Sequence, residues 1–376
     1  MAVCAASEVS QMADDTHQHI SAAIAAFSRG EIVIVADDDD RENEGDLFVA
    51  ASLCTPEKMA FIIRHTSGIV CAPLGADEAR RLHLDPMVAF NNAPLGTAFT
   101  VSVDVRHGLT TGISAEERTN TVRAIANGNT GAADFVRPGH VFPLIAREGG
   151  VLMRSGHTEA CVDLCRLAGL PPVGVLAELM NDDGTVMRGP ELKKFADQHR
   201  LQHLTIAELI AYRQARDKLI ERAGEFPVQS EIGTLTGYAF LTPFDPVYHM
   251  AFVHGHIGDG KNVLTRLHRA DIIADVFGGA KTIHNTLARF KTEGRGVLVL
   301  LRDGTAGVPV LTIPKPDETA SGEARSRQWR EIGLGAQILK DLGVNSIRIL
   351  STSRPMTYVG LSGFGIDIAG MESVEN

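Results

Sequence analysis

The chain has 376 residues, 44% hydrophobic and 22% charged, the proportions of a soluble globular protein long enough for two domains with separate cores. Its 46 acidic and 36 basic residues leave a formal charge of -10, which argues against nucleic acid as a partner, because phosphate backbones select basic surfaces. No apolar stretch reaches the roughly 20 residues of a membrane helix, and the N-terminal MAVCAASEVSQMADD has neither the basic start nor the apolar core of a secretion signal, so no membrane partner is expected and the setting reads as cytoplasmic.

In chain order, residues 1–14 read as disordered. Apolar periodicity then predicts a helix from Thr16 to Arg29, with Ile20, Ile24 and Phe27 on one face and Gly30 as its stop. The strand EIVIVA follows and ends at Ala36. Beyond it come a helix after Thr55 and Pro56, the short strand GIVCAP, a helical ADEARRLH and a strand through FTVSV. The helix SAEERTNTVRAIAN, the apolar VFPLIA, a helix from His157 to Ala168 and the strand VGVLAEL complete a first domain over 15–204. Thr205 and Glu208 form a capping-box pattern that opens a linker helix, TIAELIAYRQARDKLIERAGE, within a linker over 205–229. Strand-rich segments follow over 230–376, among them YAFLT, VYHMAFVHG, GVLVLLR and SIRILS, with a helical RSRQWREIGLGAQILKDLG near the end. Strands and helices in alternation give an α/β or α+β class for both domains.

Between the strand ending at Ala36 and the apolar LFVAA lie Asp37, Asp38, Asp39, Asp40, Glu42, Glu44 and Asp46, interleaved with Arg41, Asn43 and Gly45. Carboxylates held this close between two core strands repel one another, and a divalent cation with oxygen ligands offsets that repulsion. A solvated turn is the plain alternative, but it requires neither Arg41 nor Gly45. A second cluster spans Arg137 to Gly169 and supplies His140, Arg154, His157, Thr158 and Glu159, with Glu178 on the next strand. RSGHTEA sits at a loop-to-helix junction, where free amides and a hydroxyl favour a phosphate and Arg154 adds charge-assisted hydrogen bonds. Together the two clusters suit metal-assisted proton transfer on a phosphorylated polyol or keto sugar, and equally phosphate-ester hydrolysis or aldol cleavage. A third cluster, Thr110 to Ser114 before Glu116 and Glu117, reads first as an N-cap with dipole-complementing acids, and only secondarily as site lining. The cysteines are Cys4, Cys54, Cys71, Cys161 and Cys165; the last two share a helix face and read as buried packing, and no cysteine follows them.

At these clusters the chain resembles the 3,4-dihydroxy-2-butanone 4-phosphate synthase family. The pattern DDxDRENEGD is present over Asp37 to Asp46, TGISA over Thr111 to Ala115, RPGHVFPL over Arg137 to Leu144, and GGVLxRxGHTEA over Gly149 to Ala160. The resemblance implies conversion of D-ribulose 5-phosphate to L-3,4-dihydroxy-2-butanone 4-phosphate and formate in riboflavin biosynthesis, with two Mg2+ or Mn2+ ions per active site. It implies Glu42 and His157 as metal ligands, His140 and Glu178 as catalytic residues, and Arg41, Glu42, Asp46, Arg154, Ser155, Gly156, His157, Thr158 and Glu178 as the substrate-binding set. It also implies a homodimer whose active sites draw on both subunits. The second domain resembles GTP cyclohydrolase II through LTRLHRADIIADVFGG and IGLGAQILKDLGVNSIRIL. Its zinc cysteines are replaced, Asp271 standing at the first position, and the family's Asp-x-Arg pair reads Gln328 and Arg330. Zinc is therefore not expected and the cyclohydrolase activity is expected to be lost. A bifunctional enzyme, a nucleotide-binding or dimerisation module in the second domain, and a metal-dependent aldolase are the alternatives.

Overall fold

The computed structural model describes residues 18–37, 42–93, 95–243, 245–271, 273–277, 280–302, 333–352 and 366–374. The expectations for 1–14, Arg41, Gln328 and Arg330 lie outside these residues. The chain divides into two compact units, the first running to Tyr212 and the second from Arg213.

In the first unit a helix α1 (18–28) precedes strand β1 (Val33–Ala36), and β2 (Gly45–Ala50) returns antiparallel to it across the acidic turn. Strands β3 (Cys71–Leu74), β4 (Val103–Val105), β5 (Phe135–Ile145), β6 (Gly174–Glu178) and β7 (Gln202–Thr205) complete a mixed sheet of order β4-β5-β3-β6-β2-β1-β7. Side chains alternate across the sheet with a period of two. Leu47, Val49, Ala72, Val175 and Ala177 therefore share one face, and α2 (Pro56–His65), α4 (Ala115–Ala126) and α6 (Pro190–His199) cover it with Met59, Ile62, Val122, Ile125, Leu192 and Phe195. Asp46, Phe48, Cys71, Leu176 and Glu178 belong to the other face. The helix α5 (His157–Leu167) packs there, with nine of its residues buried and His157 edge-on to Phe48 at 6.1 Å.

The helix ends follow local chemistry. Thr55 Oγ1 accepts from Lys58 N at 3.4 Å with Pro56 just inside α2, and Ser114 Oγ accepts from Glu117 N at 3.2 Å at the start of α4. Thr205 and Glu208 close the expected capping box in both directions, at 3.1 and 2.7 Å, and open α7 (Ile206–Arg216). The expected continuation of that helix to Glu225 is not what the chain does. Arg213 pairs with Asp217 at 2.8 Å, Leu219 N donates to Gln337 Oε1 at 2.7 Å, and β8 (Glu221–Ser230) joins a sheet instead. Sheet pairing overrides the helical periodicity there. FTVSV likewise contributes only isolated bridges at Phe99 and Thr100 before β4 begins at Val103.

The second unit has its own sheet. β8, β9 (Gly233–Thr242) and β10 (Asp245–His254) form an antiparallel meander, and β11 (Val263–Arg269), β12 (Gly296–Leu301), β13 (Ser346–Ser351) and β14 (Asp367–Ser373) extend it in the order β14-β13-β11-β12-β10-β9-β8. The helix α8 (Lys281–Glu293) buries Leu287 and Phe290 against Leu264, Leu298 and Leu350. A further helix α9 spans 333–341. No helix among the described residues is long and apolar enough to cross a membrane.

Cys161 and Cys165 are buried free thiols in α5, in agreement with a packing role. A side-chain carbon added to Gly174 on β6 would lie 2.1 Å from Cys161 Sγ, so the helix seats on the sheet only through this glycine. Gly174→Ala is expected to destabilise the first unit by about 1–3 kcal/mol, and Cys161→Ala in the same chain to restore part of the loss. Urea-unfolding midpoints check it, and a midpoint unmoved by Gly174→Ala would contradict this packing.

Candidate active site

The acidic turn is built by its first carboxylate. Asp37, buried at the end of β1, accepts from Glu42 N at 3.0 Å with one oxygen and from Glu44 N at 2.9 Å with the other, while its own amide donates to Glu44 O. Asn43 takes the left-handed conformation, φ 53°, which asparagine tolerates better than most residues. Gly45 is required because a side-chain carbon there would meet Leu192 of α6 at 2.4 Å. Asn43 and Gly45 thus have mechanical reasons, and the turn carries Glu42 and Glu44 while Asp46 enters β2.

Glu42 and His157 come together across the sheet, Oε2 to Nδ1 at 3.5 Å. With Asp37 they form a group whose candidate ligand atoms all lie within 4.8 Å of one another. Two carboxylates and an imidazole suit a hard divalent cation. Because both Asp37 oxygens already accept backbone amides, Glu42 and His157 are the members better placed to bind an ion, and Asp37 shapes the turn that carries one of them.

Asp46 lies directly opposite Glu178 in the β2–β6 ladder. It is buried, and its Oδ1 has no hydrogen-bond partner among the described residues. Burial raises its carboxyl to about 7; His157 opposes that rise, and Glu178, Glu42 and Glu44 add to it. Glu44 is raised for the same reasons, burial first and then Glu42 and Glu178. Glu178 is held by Ser67, whose Oγ donates to Oε2 at 2.6 Å and whose amide donates to Glu178 O at 2.9 Å. Cys71 stands beside them as a buried thiol pushed up by burial, and further by Glu178 and Asp46, so it stays protonated.

One cleft, open to solvent, is lined by Glu42, Glu44, Asp46, Arg154, His157, Thr158 and Glu178, with Cys71, Thr97, Phe99, Leu144 and Leu176 as its other walls. His157 and Thr158 begin α5, with Gly156 as its N-cap residue and Ser155 just before it. Backbone N–H groups there have no intrahelical acceptors. Arg154 is not a loose cation: one guanidinium nitrogen donates to the buried Glu159 at 2.6 Å and another to Leu95 O and Thr97 Oγ1 at 3.1 and 3.3 Å. Glu159 also accepts from Arg147 N, and Asp163, one turn on, accepts from Val151 N at 2.8 Å. These two buried acids pin the 147–151 loop to α5.

His140 does not line this cleft: its ring Nδ1 meets Asp104 at 2.7 Å on the β4 side of the sheet. Thr110 to Ser114 are also elsewhere, tied down by Glu117, which accepts from Thr110 N at 2.7 Å and from Ser114 Oγ at 2.9 Å. Asp37, Ser67 and Thr97 are site residues that sequence reasoning did not single out. Asp37 alone carried a local signal, as the first acid after a core strand.

Because Asp46 is raised from near 3.8 to about 7 in the folded, metal-free protein, that protein binds more protons than its unfolded chain between these values. Its stability should therefore fall as pH rises from about 4 to 7, by a few kcal/mol at most, and Asp46→Asn should flatten that fall. Chemical unfolding of metal-free protein at pH 5 and pH 8 tests this; identical pH slopes in the two proteins would contradict it.

Residues 21–212 match the family model for 3,4-dihydroxy-2-butanone 4-phosphate synthase, and residues 221–373 match that for GTP cyclohydrolase II. The bifunctional riboflavin biosynthesis protein RIBA 1, chloroplastic, of Arabidopsis thaliana is 46% identical over 370 residues, covering 93% of this chain and 68% of its own length. The crystal structure of RibBX, a two-domain 3,4-dihydroxy-2-butanone 4-phosphate synthase from A. baumannii, aligns with a TM-score of 0.78 at 35% identity, over 93% of this chain and 99% of that one. A 3,4-dihydroxy-2-butanone 4-phosphate synthase in complex with two magnesium ions aligns over 52% of this chain and 97% of its own at 46% identity, with a TM-score of 0.52. On this sequence match, the shared fold and the motif residues gathered in one cleft, the chain belongs to the 3,4-dihydroxy-2-butanone 4-phosphate synthase family, enzymes of riboflavin biosynthesis.

Proposed function

We propose that this chain converts D-ribulose 5-phosphate to L-3,4-dihydroxy-2-butanone 4-phosphate and formate in the cleft between the acidic turn and the start of α5. The observation that carries this reading is the meeting of Glu42 and His157 at 3.5 Å in a cleft that Glu178 also lines. Glu42 and His157 would hold magnesium or manganese, two ions per site as the family resemblance implies. When bound, such ions polarise the substrate's oxygens and stabilise the negative charge that develops as a proton leaves carbon.

The chain's own residues account for the rest. Thr158 offers an amide and a hydroxyl to the phosphate at the N-terminal end of α5, Ser155 and Gly156 form the turn that leads into it, and Arg154, braced from behind by Glu159, faces the same group. The family resemblance gives Arg41 a substrate-binding role. Glu178 takes the proton from carbon on Oε1, since Ser67 holds Oε2. Asp46, with its carboxyl near 7, donates a hydrogen bond to a substrate hydroxyl when neutral. Loss of one water, a skeletal shift and re-addition of one water then release one carbon as formate. The two products together contain the atoms of the substrate, so no external oxidant is required.

His140 acts, in this reading, in the cleft of a second copy, making the homodimer the working unit. Ile113, 53% exposed beside Gly112, and Ile69, 49% exposed beside Gly68, supply apolar surface near His140 for such an interface. Glu42→Gln and His140→Gln should each lower formate release by about 100-fold or more. Equal amounts of the two inactive proteins, allowed to exchange subunits, should recover about a quarter of the wild-type rate, because half the dimers would then carry one intact site of two. Subunit exchange without recovery would refute the shared site, and full formate release by Glu42→Gln would refute the metal assignment.

The second unit is a cyclohydrolase-like domain without that activity, left with nucleotide binding or dimer stabilisation as its role. Asp271 stands where the related family has a zinc cysteine; its side chain is exposed and its amide donates to Asp275, which also meets His268 at 2.9 Å. No cysteine follows Cys165. Purified protein should carry no stoichiometric zinc and release no pyrophosphate from GTP; both signals together would restore the bifunctional alternative.

A further inference from the structure

The RPGH run, like TGISA, is a motif that the cleft does not use. Between the β4–β5 pairs Asp104↔Val136 and Val103↔Val141 the register shifts, so that residues 137–140 loop out of the ladder. Arg137 anchors the loop on Leu82 O at 2.6 Å and Ala132 O at 3.1 Å. Gly139 passes so close beneath β4 that a side-chain carbon would lie 2.0 Å from the Val103 carbonyl carbon. The chain then turns His140 back onto Asp104.

Asp104 is nearly fully buried, and both its oxygens go to this one residue: Oδ1 accepts from His140 N at 2.9 Å and Oδ2 meets Nδ1 at 2.7 Å. A buried carboxylate accepts from an N–H, so Nδ1 carries the proton and Nε2 is the ring nitrogen left over. The His140 side chain stays 42% exposed while that of Asp104 is 4% exposed, so the pair presents imidazole and hides carboxylate. Gly112, at φ +83°, closes over the contact from the TGISA loop; a side-chain carbon there would lie 2.2 Å from Asp104 Oδ2 and 2.6 Å from His140 Nδ1. Two separated motifs and strand β4 therefore converge on one hydrogen bond.

We infer that Asp104 is the positioning residue for His140: it holds the imidazole as the Nδ1–H tautomer with Nε2 directed outward, and Gly112 is kept free of a side chain so that the pair can form. The inference rests on the reading that His140 takes part in the synthase reaction. The geometry also specifies what an isosteric change does. In Asp104→Asn the backbone N–H of His140 keeps the amide oxygen on its side, which leaves the amide NH2 facing Nδ1. Donor then meets donor unless the ring moves its proton to Nε2.

The test is nitrogen-15 NMR of histidine-labelled full-length protein, with His140→Gln to assign the resonance, beside steady-state formate release. Wild type should show Nδ1 protonated and Nε2 bare, and Asp104→Asn the reverse. Asp104→Asn should lower kcat by about 100-fold or more, with KM for ribulose 5-phosphate changed less than threefold. In a His140→Gln background it should cause no further loss. An unchanged tautomer in Asp104→Asn, or a kcat loss that recurs in full on top of His140→Gln, would overturn the inference. Full activity of His140→Gln, with the tautomer still reversed by Asp104→Asn, would place the failure in the role given to His140 and overturn the catalytic half of the claim. Where Asp104→Asn does not fold, Gly112→Ala presses on the same pair from a surface loop and should give the same combination of disturbed tautomer and lowered kcat.

Discussion

The acceptance of two backbone amides by the Asp37 carboxylate is the constraint on which the site rests. Without it, Glu42 and Glu44 would follow their mutual repulsion into solvent. With it, the turn between β1 and β2 is closed at a set length, and the antiparallel register delivers Asp46 opposite Glu178. The backbone supplies the attraction that the side chains lack, and Glu42 is aimed at His157 as a result.

The site concentrates unfavourable electrostatics on one face of a sheet whose other face is a continuous apolar core. Asp46 and Glu44 both bear the cost of burial among like charges, and His157 is the nearest compensating group. That arrangement is affordable because α2, α4 and α6 stabilise the sheet independently of the cleft. The division of labour between the faces follows directly from strand alternation: a single strand, β2, sends Leu47 and Val49 to the core and Asp46 and Phe48 to the chemistry.

Much of this was legible in the residues. The acidic run, RSGHTEA and Glu178 are local motifs, and one cleft is lined by Glu42, Asp46, Arg154, His157, Thr158 and Glu178. The Thr205–Glu208 capping box, the Ser114 N-cap and the buried cysteine pair are equally local, and they hold. What could not be read depends on pairing across distance. Nothing near His140 reveals that a register shift against β4 turns it toward Asp104, away from its own chain's cleft. Ser67 carries no signal until β6 sets Glu178 above it. The end of α7 at Arg216 was hidden because LIERAGE keeps helical periodicity although its backbone is claimed by β9.

The double glycine at 149–150 reaches further than a loop residue ordinarily does. Gly150 lies where any side-chain carbon would stand 2.1 Å from Asp163, and Asp163 shares α5 with His157. The loop thus acts as a gauge block beneath the helix, setting how far its first turn projects. Thickening that block by one methyl group would tilt the imidazole end of α5 from a distance, so tolerance to substitution should be low in a stretch that does not itself line the cleft.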